Sequence, residues 1–382
     1  MSTIATSSAS GLTIFKHFKD LEDPRIERTK KHLLLDIIAL AICAVISGAD
    51  GWEDIEAYGK DKHEWLRGFL KLPNGIPSHD TISRVFRRLN PRGFQDCFLL
   101  WIESLNSALG LKLIAIDGKT ARHSFDGKSG KSALHLVSAW SVENHLTLGQ
   151  VAVDSKSNEI TAIPELLKIL DVHGAIVTID AMGCQKNIAA EIVEGGGDYI
   201  LAVKENQPTL YAAIERHFQD IDKGSLPCVA IRTHVTHDLA HGRVEERQFV
   251  MSAIPEEMSD KKKEWHGSKS IGKVISLTTR NGIETSEARY YICSLKPSVK
   301  RFGEAVRGHW GIENSCHWVL DMTFDEDQSR IRMDHGTENF ALLRRLALSL
   351  IKQDNSPESV RRRRKRAGWN DSRLLNILKG KT

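Results

Sequence analysis

The hydrophobic pattern of this chain changes period three times. From about 12 to 108 it is helical. Leu33 to Ala49 (LLLDIIALAICAVISGA) is apolar on every side, as in a helix buried all round. Trp52, Ile55, Tyr58, Trp65, Leu66 and Phe69 then recur at helical spacing as far as Leu72. LPNGIPS (Leu72 to Ser78) breaks the pattern with two prolines and a glycine. In SHDTISRVFRRL, Ser78 is suited to cap a helix whose first turn holds Asp80 and whose apolar face is Ile82, Val85, Phe86 and Leu89; Arg84, Arg87 and Arg88 fall on its other faces.

From Leu111 short strands alternate with helices, as in layered α/β or α+β architectures. Strands are predicted at Leu113 to Ile116, Leu134 to Val142, Leu146 to Val153, Ile176 to Ile179 and Tyr199 to Val203. Helices are predicted at Ile163 to Leu170, Asn187 to Val193 and Pro208 to Phe218, with the proline in the first turn. Between about Pro227 and Leu295 only β-type runs remain (VAIRTHV, RQFVMSAI, KVISLTTR, ARYYICSL), which marks an inserted β unit. Helices return from Gly303 through Phe324 and from Asn339 to Lys352. The predicted organisation is an arm at 1–11, a mainly helical domain at 12–108, an α/β domain at 109–355 with a β insertion at about 224–296, and a basic tail at 356–382.

A length of 382 residues suits such a multi-unit chain. The longest apolar run contains Asp36 and falls short of the ~20 residues a bilayer core requires, so no membrane role is expected. Six cysteines without a CxxC pair signal neither a zinc ribbon nor a disulfide framework, and reduced thiols of a cytoplasmic protein are the simple reading. The formal charge of +4 is too mild to diagnose nucleic-acid binding by itself. Its distribution says more, since Arg361 to Arg366 (RRRRKR) concentrates it.

Candidate chemistry lies in acids placed where charge is costly. Asp117 follows the apolar run Leu113 to Ile116, and Asp180 follows Ile176 to Ile179. Either one alone reads as a strand-end turn former. Two in one context, joined by Glu313 on a downstream helix, suggest carboxylates that hold divalent metal for work on phosphodiesters. His309 and His317 flank Glu313 at i−4 and i+4 on one helical stripe, but the HExxH order of a zinc peptidase is absent. Trp310 and Trp318 are expected to pack that helix against the sheet. Asp321, Asp325, Glu326 and Asp327 are rivals for the role of third acid.

Several basic and polar residues are candidates for DNA contact, each with a structural alternative. Arg84, Arg87 and Arg88 fit either a helix-turn-helix reader or a solvated face. Lys119, Lys204, Asn206 and Gln207 follow strand ends and fit either a DNA backbone or salt bridges to the acids. Arg243, Glu245 and Arg247 alternate onto one strand face, with Trp265 in a charged loop, suiting phosphate or base contact or else a cross-strand charge ladder. Arg361, Arg362 and Arg363 begin the run that would add salt-dependent affinity for DNA, if it is not simply a solvated tail.

IDGKT (Ile116 to Thr120), IDAMGCQ (Ile179 to Gln185), VKENQ (Val203 to Gln207) and HWGIENSCHWVLDMTFDEDQSRIR (His309 to Arg332) together resemble the DDE transposases of bacterial insertion sequences, and more closely the H-repeat-associated family found near Rhs elements. The leading stretches FKDLEDPRIERTKKHLLLDIIALAICAVISGADGWEDIE and NGIPSHDTISRVFRRLNP are similar to that family's first domain, and the resemblance spans roughly 12 to 375. It implies an RNase H-like (retroviral integrase-like) core, a β-rich insertion between the second acid and the last, and Asp117, Asp180 and Glu313 as a triad holding two Mg²⁺ ions, with Mn²⁺ as a substitute. It further implies double-stranded DNA as partner (element ends and target), a homodimer or higher assembly, and cleavage at the element's ends followed by attack of the freed 3′-hydroxyl on target DNA. One departure is visible. Related transposases carry Tyr, Arg, Glu and Lys around the last acid, where this chain has Val306, His309, Glu313 and Leu320; His309 would partly replace the arginine, and Arg307 lies within reach of phosphate. The alternatives are a nuclease of the same fold that cuts without joining and an inactive relic that only binds DNA.

Overall fold

The computed structural model describes residues 13–109, 112–125, 132–153, 158–225, 232–240, 243–280 and 282–380. The leading helices are α1 (Thr13–Lys16), α2 (Leu34–Ser47), α3 (Trp52–Asp61), α4 (His63–Leu66), α5 (His79–Arg88) and α6 (Pro91–Leu109). α2 is the apolar run, and Ile37 through Ile46 are wholly buried. Asp36 is tolerated in it because the backbone N–H groups of Leu72 (2.8 Å) and Lys71 (3.3 Å) donate to its carboxylate. Among the described residues no single helix is long and apolar enough to cross a membrane. Ser78 caps α5 by accepting from the Thr81 N–H, and Ile82, Val85, Phe86 and Leu89 are buried as their spacing predicts.

The stretch 113–293 is organised on one mixed sheet, nine-stranded among the described residues, in the order β3-β2-β1-β4-β5-β9-β8-β7-β6. β1 (Leu113–Ala121), β2 (Leu134–Ser141) and β3 (Leu146–Val153) form an antiparallel meander. After α7 (Glu159–Leu167), β4 (Ile176–Ile179) joins β1 in parallel; α8 (Lys186–Glu194) leads to β5 (Asp198–Val203), parallel to β4. Antiparallel strands on one side of β1 and parallel strands reached through helices on the other make an RNase H-like core. α9 (Pro208–Asp222) then leads to the insertion: β6 (Arg232–Ala240), β7 (Arg243–Ala253), α10 (Ser259–Glu264), β8 (Ser270–Arg280) and β9 (Ile283–Cys293). β9 pairs with β5 from Ile200↔Cys293 to Val203↔Tyr290, so the insertion extends the core sheet.

The chain returns through α11 (Val299–Ile312), a π-helical turn (Glu313–His317), α12 (Trp318–Phe324) and α13 (Gly336–Lys352), and ends in α14 (Val360–Trp369) and α15 (Asp371–Lys379). α13 and α14 both pack on α2, so the last helices and the first form one helical body.

Three sequence expectations change. The first strand does not stop at Ile116. Only its pairing with β4 does, while pairing with β2 continues to Ala121↔Leu134, so Asp117 sits where the two neighbours part. The basic stretch is a folded helix pair rather than a tail. Arg364 is buried, with Nε and Nη2 donating to the carbonyls of Val45 and Ala49 at 3.0 and 3.1 Å and its ring-facing side on Phe324. Trp265, expected in a charged loop, is a core residue with 1% exposure.

Candidate active site and metal centre

Asp117 and Asp180 come together because β1 and β4 run parallel with Ile116 opposite Ile179, which brings the next residue of each strand to the same end of the sheet. Thr178 lies opposite Ala115, so by strand alternation Thr178, Asp180, Ala115, Asp117 and Lys119 share one face. α11 packs on that face. Its approach is close enough that a Cβ on Gly308 would stand 2.3 Å from Leu113 Cδ2. The helix therefore delivers Glu313 to the two aspartates. All three acids line one cavity of about 340 Å³ with Thr178, Lys204, Arg289, His309 and Trp310.

Glu313 opens the π-helical turn, in which the Trp318 N–H donates to the Glu313 carbonyl. Such single-turn widenings recur at functional sites. Here the turn swings His317 inward, and Glu313 Oε2 accepts from its Nδ1 at 3.2 Å while Asp117 Oδ2 lies 3.6 Å away. His317 is almost fully buried and, among the described residues, its Nε2 has no hydrogen-bond partner. Ligand atoms of Asp117, Glu313 and His317 lie within 4.8 Å of one another.

Burial and neighbouring groups act differently on the three acids. Burial pushes the Asp117 carboxyl up to about 6; His317 and the Gly118 N–H oppose the rise, while Asp180 and Glu159 add to it. Burial also raises Asp180, whose Oδ1 accepts the N–H groups of Met182 (3.0 Å) and Gly183 (3.3 Å) and so forms the turn that a lone aspartate would suggest. The hydrogen bond from His317 holds Glu313 below the usual carboxylate range. Among the described residues no lysine or arginine forms an ion pair with Asp117, Asp180 or Glu313. Oxygen ligands at this spacing, with no lysine or arginine paired to them among the described residues, suit a hard divalent ion.

The rival acids are accounted for elsewhere. Asp321 and Asp327 bind Lys119 Nζ at 2.6 and 3.5 Å, Glu326 is buried against Arg345 Nη1 at 2.7 Å, and Asp325 is an exposed left-handed residue that ends α12. Lys119, with 8% side-chain exposure, is thus engaged by these two acids.

Other candidates are also redirected. Asn206 Nδ2 donates to the Ala181 carbonyl (2.6 Å) and Gln207 Nε2 to that of Cys184 (2.9 Å), so both side chains fix the Asp180 loop from within; Lys204 alone of that group lines the cavity. His309 places Nδ1 3.1 Å from Thr178 Oγ1, and burial pushes its pKa down to about 4, so it is a neutral ring and no replacement for an arginine. Trp310 and Trp318 are 46% and 57% exposed, so neither ring is buried between the helix and the sheet. Arg307 reaches Thr236 Oγ1 (3.1 Å) and Arg247 pairs with Glu245 (2.5 Å) along a neighbouring groove of about 750 Å³. The Arg243 side chain lies outside the described residues. On α5, Arg87 is held by Asp334 (2.7 Å), whereas Arg84 and Arg88 are exposed. Arg361 and Arg362 are exposed, and Arg363 donates to the carbonyls of Ile351 and Ser356.

The i+4 spacing of His317 from Glu313 was legible in sequence, and the structure brings the two together. Glu159 gave no such signal. It accepts from His135 Nε2 (2.8 Å), and its Oε1 lies so close to β1 that a Cβ on Gly118 would meet it at 2.1 Å, which accounts for the glycine there.

A sheet that presents two aspartates at one end and receives a glutamate from a late helix is the catalytic architecture of nucleotidyl-transfer enzymes with an RNase H-like core. Comparison with known proteins makes the class specific. The family described as transposase DDE domain matches residues 109–350, and that described as DDE_Tnp_1-associated matches 15–102. The chain belongs to the DDE transposase family, whose chemistry uses divalent metal and whose substrate is DNA. It is 39% identical over 374 residues to the "H repeat-associated putative transposase YhhI" of Escherichia coli (strain K12), covering 96% of this chain and 98% of that protein. It is 40% identical over 374 residues to the "Putative transposase YncI" of Escherichia coli O157:H7, covering 96% and 94%. It is also 47% identical over 72 residues to the "Inactive transposase YbfQ" of Escherichia coli (strain K12), covering 19% of this chain and 86% of that one.

Proposed function

We propose that this chain is an active Mg²⁺-dependent DNA transposase that cuts at the ends of its own element and joins them to target DNA, with Asp117, Asp180 and Glu313 as the metal-holding carboxylates. The observation that carries this reading is the convergence of the three acids on one cavity in which no lysine or arginine pairs with them. Two bound Mg²⁺ ions, replaceable by Mn²⁺, would supply Lewis-acid activation of the attacking oxygen and charge neutralisation at the leaving one.

The chain's own groups set the geometry. Asn206 and Gln207 fix the Asp180 loop, and His317 holds the Glu313 carboxylate by its hydrogen bond. Ile200, Ala202, Val306 and Ile312 give the cavity an apolar wall, which strengthens electrostatic contacts inside it. Lys204 faces the cavity as a cation for the incoming phosphodiester. Bringing two element ends together calls for at least a homodimer.

The test is incubation with duplex oligonucleotides carrying the sequence that flanks the gene, in Mg²⁺ or Mn²⁺. Nicked and joined products that vanish in Asp180→Ala are expected. Cleavage without joining would make the protein a nuclease, and binding with neither product in either metal would make it a relic.

A further inference from the structure

Three carboxylates repel a phosphodiester, so a DNA strand at this site requires a cation of the protein beside the metal site. Among the described residues, Lys204 lines only the acid cavity, and Arg247 and Arg307 line only the neighbouring groove. Arg289 lines both. It stands on β9, the strand that joins the insertion to the core, and its guanidinium lies over the Trp310 ring at 5.2 Å, three residues before Glu313. Glu287 takes its Nε and Nη2 donors at 2.8 and 2.9 Å, and Tyr291 flanks it on the same strand face. The Glu287 side chain is 58% exposed, so this pair orients the fork at a surface rather than locking it in the interior. The groove beyond is lined with the hydroxyls of Ser276, Thr278, Thr285 and Ser286. Hydroxyl and guanidinium donors along one path are the usual means of holding a nucleic-acid backbone.

We infer that Arg289 is the phosphate-binding residue at the junction of the two cavities, clamping the DNA strand as it passes from the acid cluster into the groove of the β insertion. The inference rests on the transposase reading and gives the insertion a part in the active site. A planar fork pre-oriented by Glu287 and Trp310 suits bidentate phosphate contact, which a lysine cannot reproduce.

The test uses the full chain and a fluorescent duplex oligonucleotide with the flanking sequence. Arg289→Ala is expected to reduce the slope of log affinity against log salt by about 1, the loss of one phosphate contact. At saturating DNA, cleavage is expected to fall on the order of 100-fold, as when loss of a positioning clamp misplaces the reacting phosphate. Mn²⁺ binding measured by calorimetry should stay at the wild-type value. Arg289→Lys should restore the salt slope but not the rate, a split that a merely structural role would not give, and it decides the matter if Arg289→Ala does not fold. A wild-type slope in Arg289→Ala, or a reduced slope with a wild-type cleavage rate, overturns the assignment. If the wild-type protein cuts nothing, the transposase reading falls, and the salt slope alone still decides whether Arg289 contacts phosphate.

Discussion

The molecule holds two acid clusters, and they are handled in opposite ways. Asp321, Glu326 and Asp327 each have a cation of the protein: Lys119 for Asp321 and Asp327, Arg122 also for Asp327, and Arg345 for Glu326. Among the described residues Asp117, Asp180 and Glu313 pair with no lysine or arginine, and burial raises the first two. The residue types are the same, so composition cannot tell the clusters apart. What separates them is whether folding supplies the countercharge or leaves it to something from outside. The acids paired with lysine or arginine tie α12 and the segment after it to β1 and α13, whereas the others form no such tie.

The first way to break this comparison is to remove a cation from the paired side. Arg345 is wholly buried against Glu326, which is 1% exposed. Arg345→Ala leaves that carboxylate buried without its partner and is expected to cost about 3–5 kcal/mol, read as a lowered midpoint in urea unfolding. A midpoint near that of the wild type would mean that the buried pair does not anchor the segment after Glu313.

A smaller effect is expected at Lys119. Lys119→Met keeps the length of the stem but leaves Asp321 and Asp327 short of a partner, for about 1–3 kcal/mol, again from the unfolding midpoint. The same variant should bind DNA with an unchanged salt slope, since its ammonium is turned to acids. A slope reduced by about 1 would return Lys119 to the DNA-contact role that its sequence position suggested.

Much of this site was legible in sequence because it depends on local pattern. Strands β3 and β4 have the boundaries their residues predict, and the run before Asp180 is a strand with its acid just past the end. The insertion is visible as a loss of helical period. What could not be read depends on partners far along the chain. Asp117 looks like a strand end because Gly118 follows it, yet the strand continues, since Leu134 to Val137 supply a neighbour. The RRRRKR run reads as a solvated tail because the carbonyls that accept from Arg364 belong to Val45 and Ala49, more than three hundred residues away. Arg289 carries no motif, and only the pairing of β9 with β5 brings it to the acids.

The smallest effect is the most discriminating, because its sign is opposite to the others. Folding buries the Asp117 carboxyl and raises its pKa to about 6, so at pH 7 the ionised form that prevails is held less favourably in the fold than in the unfolded chain. Asp117→Asn removes the charge at nearly constant shape. Metal-free protein carrying it is expected to be more stable than the wild type, by on the order of 1 kcal/mol, since some of the relief is lost with the contact to His317. The same substitution should abolish metal-dependent cleavage and the stabilisation that millimolar Mn²⁺ gives the wild type. A variant that is less stable without metal, by as much as the Lys119 variant, would place Asp117 among the structural acids and erase the contrast between the two clusters.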